Sequence, residues 1–144
     1  MITYVPHEAV DRNKWDTCIA GSSPNLPYGF SWYLDIVSPG WDCLVFEDYR
    51  AVMPIPFRRK WHVHYIFKPY FSQQLGIFSS DPPDDKMMEE FIDSIPHKFR
   101  YIRTNLNESN KASLPSLTKG NVNHLISIDK NYNEICRKYC SGIW

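Results

Sequence analysis

The sequence predicts an α+β domain, built as a mixed, mostly antiparallel sheet flanked by helices. Three observations predict it. The middle of the chain, from "WDCLVFED" to "SQQLGIF", is a succession of short runs rich in aromatic and β-branched residues, broken by turn residues. Two helical stretches precede that region, and the strongest helix signal in the chain follows it. Strand-like runs return after that helix, so the two element types interleave as they do in layered mixed domains.

In order, "MITYVPH" reads as a short strand stopped by Pro6. "HEAVDRNKWDTCIAGS" carries Val10, Trp15 and Ile19 at roughly helical spacing, with Gly21 as the stop. "SSPNLPYG" is a turn-rich loop, and "FSWYLDIV" is a short apolar helix ended by "SPG". "WDCLVFED" alternates as a strand and meets "EDYR", a hairpin turn. "AVMPIPFRRK" continues as a strand that Pro54 and Pro56 confine to an edge or a bulge. "HVHYIFKP" and "SQQLGIF" complete a meander. In "SSDPPDDKMMEEFIDSIP", Ser/Asp capping residues, early prolines and early acids precede Met87, Met88, Phe91, Ile92 and Ile95, which marks a helix. "FRYIRTNLN" and "HLISID" are strands separated by a polar loop, and "KNYNEICRKYC" starts a last helix.

The 144 residues suit one domain over 1–144, large enough to bury roughly 68–70% of the unfolded surface. Aromatic residues make up 15% of the chain, so the core is expected to rest on Trp, Tyr and Phe. Trp32 and Trp41 are placed there. Sixteen basic residues balance sixteen acidic ones, which leaves no net field to attract nucleic acid or an anionic membrane. No apolar run reaches the length of a signal sequence or a membrane span, so a soluble, cytoplasmic chain is expected. Cys18, Cys43, Cys136 and Cys140 form no CxxC pair and read as ordinary thiols.

Three groups of residues bear on chemistry. "RRKWHVH" offers Arg58, Arg59 and Lys60 to a phosphate or a nucleic-acid backbone. A solvated hairpin end explains the same cluster, since charge there discourages edge pairing, and that reading is preferred. His62 and His64 alternate and would share one face of a strand, but no third ligand stands at a telling spacing, so no metal is expected. No Gly-x-Ser-x-Gly elbow is present, and no cysteine stands in an activating context.

"SWYLD", "GWDCLVFEDYRAVMPIP" and "QQLGIF" carry a resemblance. The order of elements resembles the acyl-CoA N-acyltransferase (GNAT) fold. More narrowly, the stretch from "YGFSWYLDIV" to "QQLGIFS" is similar to the first half of FemAB-like proteins, which are built from two tandem GNAT-like domains. The ending "NYNEICRKYC" resembles the helix that leads into their second domain, so the chain looks like a first-half domain standing alone, its C-terminal catalytic half absent. The resemblance implies transfer of an acyl or aminoacyl group to an amine, with the donor handled by the second half. No catalytic residue is therefore carried over. Such a domain alone would be inert, or would bind an acceptor, a second domain or another copy of itself. Tyr70, Gln73 and Gln74 are its candidate acceptor-cleft residues.

The general GNAT pyrophosphate loop is Gln/Arg-x-x-Gly-x-Gly/Ala before a helix. Gln73, Gly76 and Phe78 hold the three positions here. Phe78 puts bulk where backbone should approach the anion. Asp81, Asp84 and Asp85 precede or open the following helix and oppose a diphosphate. One like-charge contact at 4 Å costs roughly 1–4 kcal/mol, more than the roughly 0.3–1 kcal/mol a helix dipole offers. The segment is read instead as a core strand, Leu75 and Ile77 on one face and Gln74, Gly76 and Phe78 on the other. No cofactor is expected. Two alternatives remain: a stand-alone N-acetyltransferase using acetyl-CoA, which requires a V-shaped opening at "QQLGIF" with free N–H groups at the helix start, and a phosphate or nucleic-acid binder through Arg58–Lys60.

Overall fold

A computed structural model describes residues 1–111, 120 and 131–139. The chain divides into two compact units, Met1–Leu114 and Pro115–Trp144. The first contains strands β1 (Ile2–Val5), β2 (Asp42–Phe46), β3 (Ala51–Ile55), β4 (Phe57–Lys60), β5 (Val63–Ile66), β6 (Phe78–Ser79) and β7 (Phe99–Ile102). Its helices are α1 (Arg12–Gly21), α2 (Ser31–Val37) and α3 (Asp85–Asp93). In the second unit, helix α4 (Tyr132–Tyr139) begins where "KNYNEICRKYC" predicts it. The expected strand "HLISID" lies outside the described residues.

The fold is mixed α+β. Helices start where side chains can take up their free N–H groups. The Asp11 carboxylate caps α1 through the Lys14 amide, and Asp84 caps α3 through Met87. Val10 falls just before α1 rather than inside it. Trp15 and Ile19, four apart on α1, are both fully buried, and the Trp15 indole donates to the Gly29 carbonyl at 2.9 Å.

The first sheet has the order β1-β2-β3-β6 and is antiparallel throughout. It is covered on both faces. Leu44, Ala51, Met53 and Ile55 pack with Met88 and Phe91 of α3. Cys43, Val45 and Val52 pack with Trp15, Ile19 and Leu34 of α1 and α2. The alternation expected in "WDCLVFED" is therefore absent from its burial: Cys43, Leu44 and Val45 are all buried, as in a strand with helices on both sides. Nor is β3 an edge strand. It lies between β2 and β6, but β6 reaches only Ala51 and Val52, so the missing N–H of Pro54 leaves no bond of β6 unmade.

The expected meander ends at Pro56. Beyond it the chain enters a second sheet of order β4-β5-β7, in which β5 pairs antiparallel with β4 and parallel with β7. The fifth strand does not pair with the sixth. The next strand-like segment returns to the first sheet instead, and the space beside β5 is taken by β7 from far along the chain. The β4–β5 hairpin closes through two residues with positive φ, Trp61 (+51°) and His62 (+64°). That is the backbone twist a two-residue hairpin needs, although glycine or asparagine usually supplies it.

Candidate functional site

The segment "SQQLGIF" is not the continuous strand expected of it. Only Phe78 and Ser79 join a strand, while Leu75 forms a single parallel bridge with Leu106. Gly76 has φ +87°, which resets the side-chain alternation. Leu75 consequently packs with Phe78 on the α1–α2 side, and Ile77 packs on the α3 side. The expected pairing of Leu75 with Ile77 on one face is thus corrected, and Phe78 is a fully buried core ring.

The backbone here is held by asparagines from the chain that continues β7. Leu75 N–H donates to the Asn105 carbonyl at 2.7 Å, and Asn107 N–H donates to the Leu75 carbonyl at 2.9 Å. Ile77 N–H donates to Asn110 Oδ1 at 2.7 Å. The Ile77 carbonyl accepts from Asn107 Nδ2 at 2.8 Å and from Asn110 Nδ2 at 2.9 Å. Asn110 Nδ2 also donates to Asn107 Oδ1 at 2.9 Å. A Cβ on Gly76 would stand 2.2 Å from Asn110 Oδ1. Glycine is favoured here by its positive φ and by the close approach of the Asn110 amide. Sequence reasoning missed Asn105, Asn107 and Asn110; their only signal was three asparagines within "NLNESN".

The start of α3 carries its own side-chain cap. Asp84 Oδ1 accepts the Met87 N–H at 2.8 Å. Asp81 and Asp85 are exposed beside it. The Tyr70 ring is exposed, 6.0 Å from the Arg58 guanidinium. Gln73 is exposed, with its carbonyl accepting from Asn105 Nδ2 at 2.9 Å. Gln74 is half-buried, and its Oε1 accepts from Glu108 N–H at 3.3 Å.

Trp41 is fully buried, as expected, and donates its indole N–H to Asp35 at 2.9 Å. Trp32 is not core: it is 55% exposed, edge-on to Tyr33. His62 lies in the hairpin turn, bonded to Arg59 at 2.9 Å, while His64 lies in β5 between Phe57 and Phe99. The two histidines therefore do not share a strand face. Among the described residues, no three His, Cys, Asp or Glu side chains form a group able to hold a metal. No helix among them is long and apolar enough to cross a membrane.

A buried polar cluster was not foreseen. Asp42, 5% exposed, accepts from the Tyr4 hydroxyl and, at 3.0 Å, from His7 N–H, with Lys98 Nζ 3.6 Å away. Burial first, then the bond to Asp42, raises the Tyr4 phenol well above its ordinary range, so it stays protonated as a donor. Lys98 also lies over the Tyr4, Phe57 and Phe99 rings, so the cluster ties β1 and β2 to β7. Its visible work is structural. An open surface hollow of about 310 Å³ is lined by Lys14, Thr17, Cys18, Asp48 and others. Lys14 is engaged there by Asp48 at 2.6 Å, and burial raises the Cys18 thiol to about 11, which keeps it protonated at neutral pH.

Comparison of the chain with family models, with curated proteins and with solved structures finds no match.

Proposed function

We propose that this chain is a cofactor-free, GNAT-like accessory domain of a FemAB-type N-acyl or aminoacyltransferase, not catalytic by itself. The observation that supports this reading is the amide of Asn110, which lies against Gly76 and bonds the N–H and C=O of Ile77, backbone that a GNAT-type loop would offer to its ligand. Asp84 supports the same reading by engaging an N–H at the start of α3. The family assignment rests on the resemblance of "SWYLD", "GWDCLVFEDYRAVMPIP" and "QQLGIF". In this role the domain supports a catalytic GNAT-like partner, or a second copy of itself, and helps wall the acceptor site near Tyr70 and Gln73.

Calorimetric titration of acetyl-CoA and CoA into the chain at low salt tests the proposal. The expected result is no heat and no thermal-shift stabilisation up to millimolar ligand. Micromolar binding of either would overturn it and favour the stand-alone acetyltransferase.

A further inference from the structure

The second sheet brings together segments that are basic and aromatic and lie far apart in the chain. Residues 57–80 and 96–107, which supply its strands and their flanks, contain no Asp or Glu. They do contain Arg58, Arg59, Lys60, Lys68, Lys98, Arg100 and Arg103. In a chain of zero net charge this is a marked segregation. Elsewhere, Arg12, Lys14, Arg50 and Lys86 each face a carboxylate. Among the described residues, Lys98 is the only cation of the sheet group with an acidic partner, Asp42.

The register aligns the exposed side. Arg58 pairs with Tyr65, and Tyr65 pairs with Tyr101. The three lie in one row across the sheet, roughly 10 Å long at the usual strand spacing. Phe57, His64 and Phe99 stack together on the opposite face. Two residues on from Tyr65, Phe67 makes an edge contact with it and carries the Arg58 guanidinium 4.3 Å over its ring. Two residues on from Tyr101, Arg103 is exposed, its N–H bonded to the Ile66 carbonyl at 3.1 Å. Tyr101 is 59% exposed, and Trp61 at the hairpin tip is 85% exposed. Trp61 and His62 hold positive φ there, a strained backbone that displays both rings.

We propose that this outward face of β4, β5 and β7 binds single-stranded nucleic acid, its bases stacking on Tyr101 and neighbouring rings and its phosphates meeting Arg58, Lys60 and Arg103. Charge complementarity selects a polyanion, and exposed aromatic faces select one that carries flat π surfaces. An acidic peptide satisfies the first requirement but offers nothing to stack. A duplex hides its base faces. The single Arg58–Lys60 cluster is weak support by itself. The addition of β7, which sequence order did not place beside it, gives the face Arg103 and its open tyrosine. This proposal does not rest on the accessory-domain reading.

The test is fluorescence anisotropy of fluorescein-labelled twelve-nucleotide oligothymidine and oligouridine with the full chain. Three neutralised phosphates give a fall in affinity of roughly 20-fold between 50 and 200 mM salt. Arg103→Ala is expected to lower the log–log salt slope by about 0.7. Tyr101→Ala, at an exposed position, should weaken binding roughly 5- to 150-fold with the slope unchanged. Lys86→Ala on α3 should change nothing, and an unchanged thermal midpoint shows that each variant is folded. Three results would overturn the proposal: no binding at 50 mM salt, equal binding of heparin with no effect of Tyr101→Ala, or binding confined to phosphatidylserine vesicles or acidic peptides.

Discussion

Replacing Asn110 by alanine tests the asparagine clamp most directly. Three hydrogen bonds are removed at a site only 6% exposed. They are not equivalent. The Ile77 carbonyl keeps its bond from Asn107 Nδ2, and Asn107 Oδ1 keeps the Ser109 N–H at 3.0 Å. Ile77 N–H alone is orphaned. A buried orphan costs about 1–3 kcal/mol, and each of the other bonds contributes about 0.5–1.5 kcal/mol net. Partial relaxation brings the expected loss to about 2–4 kcal/mol, a large share of the roughly 5–15 kcal/mol of a typical domain. Urea unfolding followed by tryptophan fluorescence should show a lower midpoint with an unchanged slope. Gly76→Ala should cost at least as much, because its Cβ strikes Asn110 Oδ1 and φ +87° is unfavourable for alanine. In the Asn110→Ala background the clash with the amide vanishes and only the Leu106 contact at 3.1 Å remains, so the two losses should be clearly less than additive. Strict additivity, or a loss below about 0.5 kcal/mol for Asn110→Ala, would refute the clamp.

Other expectations follow from single residues. Burial raises the Asp35 carboxyl, but bonds from Arg12 and the Trp41 indole and the charges of Arg12 and His7 outweigh it and leave the group lowered. A lowered folded value means stability that is present above the unfolded carboxylate range and is lost as pH falls through the folded value. Asp35→Asn should therefore flatten the acid limb of a urea-midpoint profile between pH 6 and 2.5, and an unchanged limb would exclude this role. Among the described residues the Ser72 hydroxyl is buried without a partner, so Ser72→Ala should leave stability unchanged or raise it by up to about 1 kcal/mol in the same assay. A loss above 1 kcal/mol would show that the hydroxyl is bonded in solution. Burial raises the thiols of Cys18 and Cys43 to about 11 and about 12. Mass spectrometry after iodoacetamide at pH 7.5 should find Cys43 unmodified and half-buried Cys18 only slowly modified in the folded chain, and both alkylated in urea; rapid labelling of Cys43 in the native state would contradict its burial.

Local signals were legible. The capping aspartates, the Trp15–Ile19 spacing, the acid-then-apolar order of α3 and the turn after Phe46 each act within a few residues, and the corresponding elements formed. Strand partnership was not legible. The choice of β7 as neighbour of β5 rests on contacts more than thirty residues apart, and local composition carries no information about it. The same holds for the loop segment. A strand pattern presumes strict alternation, and one positive φ at Gly76 reverses it, sending Leu75 and Ile77 into different clusters. The motif glycine was visible; the amide facing it came from Asn110, and only folding brings them together.

Segregated charge has a consequence for handling the protein. With a sequence pI near 6.9, the chain carries little net repulsion at neutral pH. Yet its cations concentrate on the second sheet, while Asp81, Asp84, Asp85, Glu89, Glu90 and Asp93 lie on and before α3. Two unlike patches on one molecule favour contacts in which the basic patch of one copy meets the acidic patch of the next. Such contacts need not close on themselves. The chain should therefore be least soluble near pH 7 at low ionic strength and should salt in, with light scattering falling as sodium chloride rises towards 0.2 M.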